Sequence, residues 1–296
     1  MQAHYSSSRL NLHKLAFDDQ EFIFKLLNTS GWIKNIGNRN IANLEDAANY
    51  ITKINTNPDY QYWVIRLKSN AEAVGLVTFI KRNYLEDADI GFALLPEFEA
   101  MGYAFEAAIT ILTAVLNETQ VSCVLATTLP SNSASIKLIE RLGLKFEKSI
   151  HEDQETLSVY KITNAALQIQ LLITKFYNWF TSSDTLPLNK DELLSCCLPE
   201  LSVFKVNATS STHLNLDEFV TPRFQVLSDG TLTRFSEHEI AHTTKQIGAI
   251  AQRYSYYQKS GMHNGVAFKQ YGHKLFNCIE TAQGWKIATI VWQDEL

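Results

Sequence analysis

Strand-like and helix-like segments alternate through the first 163 residues, and this order constrains the fold more than any other feature of the sequence. Runs rich in Val, Ile, Phe and Tyr predict strands, whereas apolar residues at helical spacing predict helices. Asp18, Asn43 and Asn132 are suited to cap helices. The predicted strands occupy residues 9–15, 60–67, 73–81, 88–95, 121–129, 146–150 and 157–162. The order β-α-α-β-β-β-α-β-α-β-β indicates an α/β unit, with a mixed sheet and helices on both faces.

A different pattern begins at Asn164, where a strongly amphipathic helix is predicted, followed by a shorter helix that Asn189 can cap. From Val203 onward the chain is predicted to be mostly β. The predicted strands lie at residues 224–227, 247–257, 266–280 and 285–292, with turns at Gly230, Gly261 and Gly284. We therefore expect two domains, at residues 1–163 and 164–296, each within the usual range of about 100–200 residues.

Composition narrows the classes of function. Of the 296 residues, 46% are hydrophobic and 19% are charged, as expected for a folded protein. The net charge of -5 gives no overall attraction to nucleic acid, so no nucleic-acid partner is expected. No apolar run has the length of a membrane span or a signal peptide, which predicts a cytoplasmic protein with no membrane partner. The four cysteines lack metal-binding spacing and are predicted to be buried free thiols.

The segment 88–107, ADIGFALLPEFEAMGYAFEA, combines a strand, a loop and a glycine that leads into a helix. Such a loop can direct several backbone N–H groups at one anion, and the helix N-terminus adds about half a positive charge. Gly102 has no Cβ, so the backbone can approach that anion closely. A pyrophosphate is a fitting ligand, although an ordinary loop-to-helix turn would produce the same pattern.

Two motifs together resemble those of the GNAT superfamily of N-acetyltransferases, and within it the Rim-type enzymes that acetylate ribosomal proteins. The coenzyme loop of that family reads Q/R-x-x-G-x-G/A, and residues 102–107, GYAFEA, match its second half. Glu99 stands where Gln or Arg is usual, and Ala100–Met101 replace Gly–Lys. The second motif, N-x-x-S followed by an apolar residue and a glycine, runs from Asn132 to Gly143.

The resemblance implies that acetyl-CoA is the cosubstrate and that no metal takes part. It implies that Asn132 contacts the pantetheine arm and that Ser135 lies near the sulfur. The charge of Glu99 beside a pyrophosphate would weaken coenzyme binding unless backbone donors offset it. The residues assigned to coenzyme binding are Leu94, Leu95, Ala100, Met101, Gly102, Tyr103, Ala104, Asn132 and Ser135.

The reaction predicted for such a site is attack of a neutral amine on a thioester carbonyl. Backbone N–H groups near Leu94 or Leu95 would polarise that carbonyl, and Ser135 would donate a proton to the thiolate. Asp89 matches the acidic position of the family's fourth strand and is the candidate catalytic carboxylate facing the amine; the alternative is an exposed strand residue. A base is less needed for an α-amine, whose pKa of about 8 leaves a useful neutral fraction.

The leading prediction is therefore an acetyl-CoA-dependent N-acetyltransferase, whose partner is an amine acceptor. The acceptor would be a protein N-terminus or a small-molecule amine. The alternative is a binding or sensor protein that holds acyl-CoA or a small ligand without turnover. In that alternative the second domain supplies an aromatic pocket or a dimer interface.

Residues 238–242 spell H-E-x-x-H, a zinc-protease signature that requires a helix. Thr243 and Thr244 follow at once and favour a strand. Lys245 stands where the longer form of the motif requires glycine, and no carboxylate follows until Glu280. We therefore predict a strand here and no metal site.

The second domain resembles the SnoaL-like group of the nuclear-transport-factor and ketosteroid-isomerase superfamily. The resemblance rests on helices followed by strands and on the ending Gly284–Trp285–Lys286–Ile287 with Trp292. It implies an α+β, cone-shaped roll with an apolar pocket, and a homodimer formed through the C-terminal domain. A shared fold would not by itself assign a function.

Overall fold

The computed structural model describes residues 1–152, 154–181 and 189–295. The chain divides into two compact units, Met1–Leu167 and Gln168–Leu296. Each unit contains its own sheet, with eight strands in the first and six in the second among the described residues. None of the described helices is long and apolar enough to cross a membrane.

The N-terminal unit has the element order that the sequence predicts, with two short additions, strand β1 and helix α2. Both additions are too short to produce a periodic pattern. The strands are β1 His4–Ser6, β2 Leu10–Lys14, β3 Tyr60–Leu67, β4 Ala73–Ile80, β5 Asp89–Leu94, β6 Cys123–Thr128, β7 Lys145–Glu152 and β8 Glu155–Thr163. The helices are α1 Gln20–Leu27, α2 Ser30–Asn35, α3 Leu44–Asn55, α4 Tyr103–Glu118 and α5 Ser133–Arg141.

Side-chain caps explain where several helices begin. Asn43 caps α3 as predicted, because its Oδ1 accepts a hydrogen bond from the Asp46 N–H at 2.9 Å. The cap predicted at Asp18 is wrong: Asp18 lies in a 3-10 turn, Phe17–Asp19, that precedes α1. The neighbouring Asp19 instead accepts a hydrogen bond from the Ala16 N–H at 2.9 Å and pairs with Arg66.

The first sheet has the strand order β1-β2-β3-β4-β5-β6-β8-β7. Neighbouring strands are antiparallel except β5 and β6, which are parallel. That pair shares a single register position, Asp89 opposite Leu125, and the two strands diverge beyond it. The mixed sheet predicted from the sequence therefore has an opening near its middle.

Apolar side chains of α1 and α3 pack against β3 and β4 and form a core, with residues such as Ile23, Ile51 and Val64 almost fully buried. Helix α4 buries Ile111, Leu112 and Val115. Burial of each such side chain contributes about 1.5–3 kcal/mol. This core includes Leu95, just after β5, and so holds the strand that leads into the predicted site.

The C-terminal unit is mostly strand, as predicted, with three helices among the described residues. Helix α6, Asn164–Phe180, begins in the first unit and continues into the second. The remaining elements are α7 Lys190–Leu194, β9 Cys197–Val206, β10 Ser211–Leu214, α8 Leu216–Ser228, β11 Leu232–Ile247, β12 Ile250–His263, β13 Val266–Thr281 and β14 Gly284–Asp294. The sheet order is β10-β9-β14-β13-β12-β11, and only the described pair β9–β14 is parallel.

Three details of the C-terminal prediction are wrong. Residues 224–227 belong to helix α8, which a capping box of Asn215 and Glu218 begins. Residues 247–257 span the turn at Gly248 between two long strands. Gly261 lies inside β12 rather than at a turn. A Cβ there would come within 3.1 Å of the Phe235 Cα, so close backbone approach explains the glycine.

Candidate active site

The opening between β5 and β6 exposes backbone donors. Along β5, successive residues direct their backbone N–H and C=O groups to opposite edges of the strand. The Ala88 carbonyl accepts from the Leu125 N–H at 3.0 Å, so the even-numbered residues face β6. Beyond Asp89 the β6 partner is missing among the described residues, and the N–H groups of Phe92 and Leu94 therefore point into the opening. The Leu95 N–H is bound at 2.9 Å by the Val74 carbonyl on the opposite edge.

The loop after β5 leads to an uncapped helix N-terminus. Pro96–Phe98 forms a 3-10 turn, and Ala100 and Gly102 both have positive φ, 59° and 81°. Gly102 is the N-cap of α4 and offers no side-chain cap, so the first N–H groups of the helix have no side-chain acceptor there. The helix is 16 residues long, and its N-terminus carries the positive end of the helix dipole. Of the other predicted loop residues, Met101 precedes Gly102 and is 51% exposed, and Tyr103 and Ala104 are the first two residues of α4.

Arg9, which the sequence did not single out, lies against this loop. Its Nη1 donates to the Met101 carbonyl at 3.1 Å, and its guanidinium lies 4.6 Å from the centre of the Tyr103 ring. Its Nε donates to Glu106 at 2.7 Å, which fixes the side chain from α4. A Cβ on Gly102 would come within 3.4 Å of the Arg9 Nη2. A positive charge therefore lies beside the loop in which Glu99 contributes a negative one.

The two residues predicted on the second helix lie at its N-terminus. Asn132 caps α5, with its Oδ1 accepting from the Ser135 N–H at 3.1 Å. The Ser135 hydroxyl is partly exposed and has no hydrogen-bond partner in the described part of the chain. Helix α5 follows β6, just as α4 follows β5. The divergence of these two strands therefore places the two helix N-termini on either side of the same opening.

Asp89 lies at the closed end of that opening, where β5 and β6 still pair. It is 2% exposed, and its carboxylate accepts from the Arg82 Nε at 2.9 Å and from the Thr127 hydroxyl at 3.1 Å. Burial raises the pKa of Asp89, while the Arg82 guanidinium and the Thr127 hydroxyl oppose that rise. The exposed strand residue considered as an alternative is excluded by this burial.

Tyrosines cluster near Arg82 and extend this polar region. Burial raises the pKa of Tyr62, and the neighbouring Tyr50 raises it further. Burial also raises the pKa of Tyr84, whose ring lies 5.9 Å from the Arg82 guanidinium. These phenols therefore remain protonated near neutral pH.

The H-E-x-x-H residues lie on strand β11, which confirms the strand predicted for them. A β-bulge between Glu239 and Ala241 shifts the alternation by one residue. Arg253 contacts Glu239 before the bulge and Thr244 after it, so these two side chains lie on the same face of β11. His242 contacts Glu239 and therefore lies on that face too. His238 lies on the opposite face. Across the described residues, no three His, Cys, Asp or Glu side chains are grouped to hold a metal ion.

Comparisons with known proteins agree with this geometry. Residues 9–145 match the family model described as the acetyltransferase (GNAT) domain. An uncharacterized N-acetyltransferase of Bacillus subtilis, YnaD, is 25% identical over 161 residues, which cover 53% of this chain and 94% of that protein.

Solved structures show the same fold. A structure described as a putative acetyltransferase aligns with a TM-score of 0.51 at 14% identity, covering 58% of this chain and 94% of the other. A GCN5-related N-acetyltransferase from Brucella melitensis aligns with a TM-score of 0.50 at 13% identity, covering 57% of this chain and 85% of the other. These matches cover little more than half of the chain.

Proposed function

We propose that this protein, as an N-acetyltransferase with a GNAT acetyltransferase domain at residues 9–145, uses acetyl-CoA. It transfers the acetyl group of acetyl-CoA to an amine. The observation that carries the proposal is the opening between β5 and β6, flanked by the N-termini of α4 and α5. Such an opening offers backbone donors for a carbonyl and a helix N-terminus for an anion.

In this proposal the pyrophosphate of the coenzyme binds at the start of α4. The residues of the loop, Ala100 to Ala104, offer backbone N–H groups, and Gly102 leaves room for close approach. Arg9 lies against the loop and pairs with Glu106, and a weakening of coenzyme binding by Glu99 stays a prediction. Asn132 and Ser135 would contact the pantetheine arm from the other side of the opening.

The proposed chemistry needs one polarised carbonyl and one proton donor. The Leu94 N–H supports polarisation of the thioester carbonyl, whereas the Leu95 N–H already bonds to β4, so Leu95 would contribute only its buried side chain. The amine nitrogen forms the new C–N bond as the C–S bond breaks. The thiolate takes a proton from Ser135, the nitrogen loses one to solvent or to a nearby base, and Ser135 regains its proton from solvent.

The catalytic role predicted for Asp89 stays a prediction. Because Asp89 is buried and paired with Arg82, the arrangement favours electrostatic positioning of Arg82 and Thr127 over direct contact with the amine. Asp89→Asn separates the two roles. A base would be revealed by a changed pH–rate profile, whereas a positioning residue would change the KM for the acceptor without moving the profile.

The finer predictions concern the acceptor and the second domain, residues 164–296. We propose a protein N-terminus or small-molecule amine as acceptor, and a SnoaL-like roll that forms a homodimer through its sheet. One face of β12 and β13 supports the interface, because its apolar and aromatic side chains are solvent-exposed. They include Ile250, Tyr254, Leu275 and Ile279.

The test is release of free thiol when the purified protein meets acetyl-CoA and a panel of amines, including an N-terminal peptide and a polyamine. We expect turnover with at least one amine. Ser135→Ala should slow turnover by roughly 100-fold, near the lower end of general-acid effects, with little change in coenzyme affinity. Ser133→Ala, an exposed position in the same helix, is the matched control. Coenzyme binding without thiol release from any amine would favour the sensor alternative.

A further inference from the structure

The C-terminal unit contains a cavity that the acetyl-transfer proposal does not use. Its volume is about 120 Å³, and its walls come from α6, α8 and the strands β11 to β14. Aromatic rings form much of the wall, with Phe180, Phe219, Phe235, Tyr257 and Trp292 contributing. A cavity of about 150 Å³ accommodates benzene in other proteins, so this space fits a body of one small ring.

The charged groups around the cavity do not cancel. Lys274, which is 6% exposed, pairs with Glu237, and Lys259 pairs with Asp294 at 2.6 Å. Arg223 is the third cation at the cavity and has no carboxylate partner in the described part of the chain. Three cations thus meet two carboxylates, which leaves one positive charge on the wall.

Arg223 lies against the aromatic wall. Its guanidinium lies 4.2 Å from the centre of the Phe219 ring and 5.1 Å from that of Trp292. Its Nη1 donates to the Phe219 carbonyl at 2.7 Å, one helical turn back. A guanidinium has five N–H donors in a planar fork, so this carbonyl leaves most of them available to a ligand. Partial burial without a counter-ion is unfavourable, and an anion would relieve it.

We infer that this cavity binds a small organic carboxylate with a flat, apolar body, its carboxylate against Arg223 and its body against Phe219, Phe235 and Trp292. The guanidinium fork matches the two oxygens of a carboxylate, which makes the contact directional as well as charged. The site is separate from the opening between β5 and β6 in its residues, so the inference does not rest on the proposed acetyl transfer.

Benzoate is the probe, because it joins one ring to one carboxylate. Calorimetric titration of the full chain should show benzoate binding at least about tenfold more tightly than benzyl alcohol, which has the same ring without the charge. Arg223→Gln should lower benzoate affinity by roughly 10- to 100-fold, the usual range for hydrogen bonds to charged groups. Lys245→Gln, an exposed position on β11, should leave the affinity unchanged.

Two further arms keep the inference open to refutation. Arg223→Lys keeps the positive charge and loses the planar fork, so its benzoate affinity should lie between those of the wild type and Arg223→Gln. If Arg223→Gln does not fold, the benzoate affinity of Arg223→Lys tests the inference in its place. Inorganic phosphate should bind more weakly than benzoate, since it lacks the apolar body. Equal binding of benzoate and benzyl alcohol, unchanged affinity in folded Arg223 variants, or phosphate binding as tight as that of benzoate would overturn the inference.

Discussion

The two sheets differ in how continuously their strands pair, and the difference determines which atoms each region offers to a ligand. The first sheet opens where β5 and β6 part after a single register position, and its free groups are mainly backbone N–H groups. The long strands β11, β12 and β13 stay paired over nearly their whole length, and the polar groups beneath them are side chains. A backbone site tolerates many substitutions and fails where the backbone must change. A side-chain site fails when one partner is lost.

The largest effect is expected in the C-terminal unit, at the pair of Glu237 and Lys274, whose side chains are 8% and 7% exposed. Lys274→Met removes the ammonium and leaves a buried carboxylate without its ionic partner. Loss of one member of a buried pair typically costs about 3–5 kcal/mol of unfolding free energy. Denaturant unfolding measures this directly. Lys245→Met, on the exposed part of β11, should cost less than about 0.5 kcal/mol. Equal stability of the two variants would contradict the comparison.

The next effect tests the backbone site through two glycines with similar conformations. Gly102 has φ of 81° and Gly230 has φ of 85°, so a side chain strains both to a similar degree. Gly102→Glu also places a negative charge at the helix N-terminus proposed for the pyrophosphate, and calorimetry with CoA should show at least about a 100-fold loss of affinity. Gly230→Glu, in the other unit, controls for strain. Undiminished CoA affinity in folded Gly102→Glu would show that the anion binds elsewhere.

The smallest effect, close to zero, is expected for zinc. His238 and His242 lie on opposite faces of β11, so their imidazoles do not converge on one ion. Protein purified without a histidine tag should contain far less than one zinc ion per chain. Replacing both histidines with alanine should change neither the metal content nor acetyl transfer. Stoichiometric zinc that disappears in the double variant would revive the metalloenzyme alternative.

Local patterns predicted most of the N-terminal fold because each element carries its own signal. Asn43 and Asn132 cap the helices that they were expected to begin, and the motif glycine Gly143, with φ of 91°, lies just after α5, where a left-handed conformation is common. Helix α8 was missed because Pro222 interrupts its pattern and the surrounding chain is rich in strand formers. Its capping box, Asn215 with Glu218, was a signal that could have identified it.

The motifs that suggest the proposed site are local, whereas the electrostatics around it are not. The glycine of the proposed coenzyme loop and the Asn-x-x-Ser motif can be recognised within a few residues. Arg9 and Glu106 are 97 positions apart, and nothing in a single sequence links them. The burial of Asp89 and its pairing with Arg82 depend on how β4, β5 and β6 assemble. Long-range pairs of this kind require the fold.

The bulge at Ile240 acts like an inserted letter in a reading frame, because it sets the face on which every later side chain of β11 lies. Ile240 is 41% exposed, so many side chains could replace it without disturbing the core. If Ile240 paired in the ladder instead, strict alternation would turn every later side chain of the strand to the opposite face, whereas deletion of Ile240 would leave the later residues with their present partners and faces. Without the bulge His242 would leave Glu239 and Thr244 would leave Arg253, and the charged cluster beneath the sheet would lose its contacts on one side of the bulge. At this position the fold depends on one residue staying unpaired rather than on which residue it is.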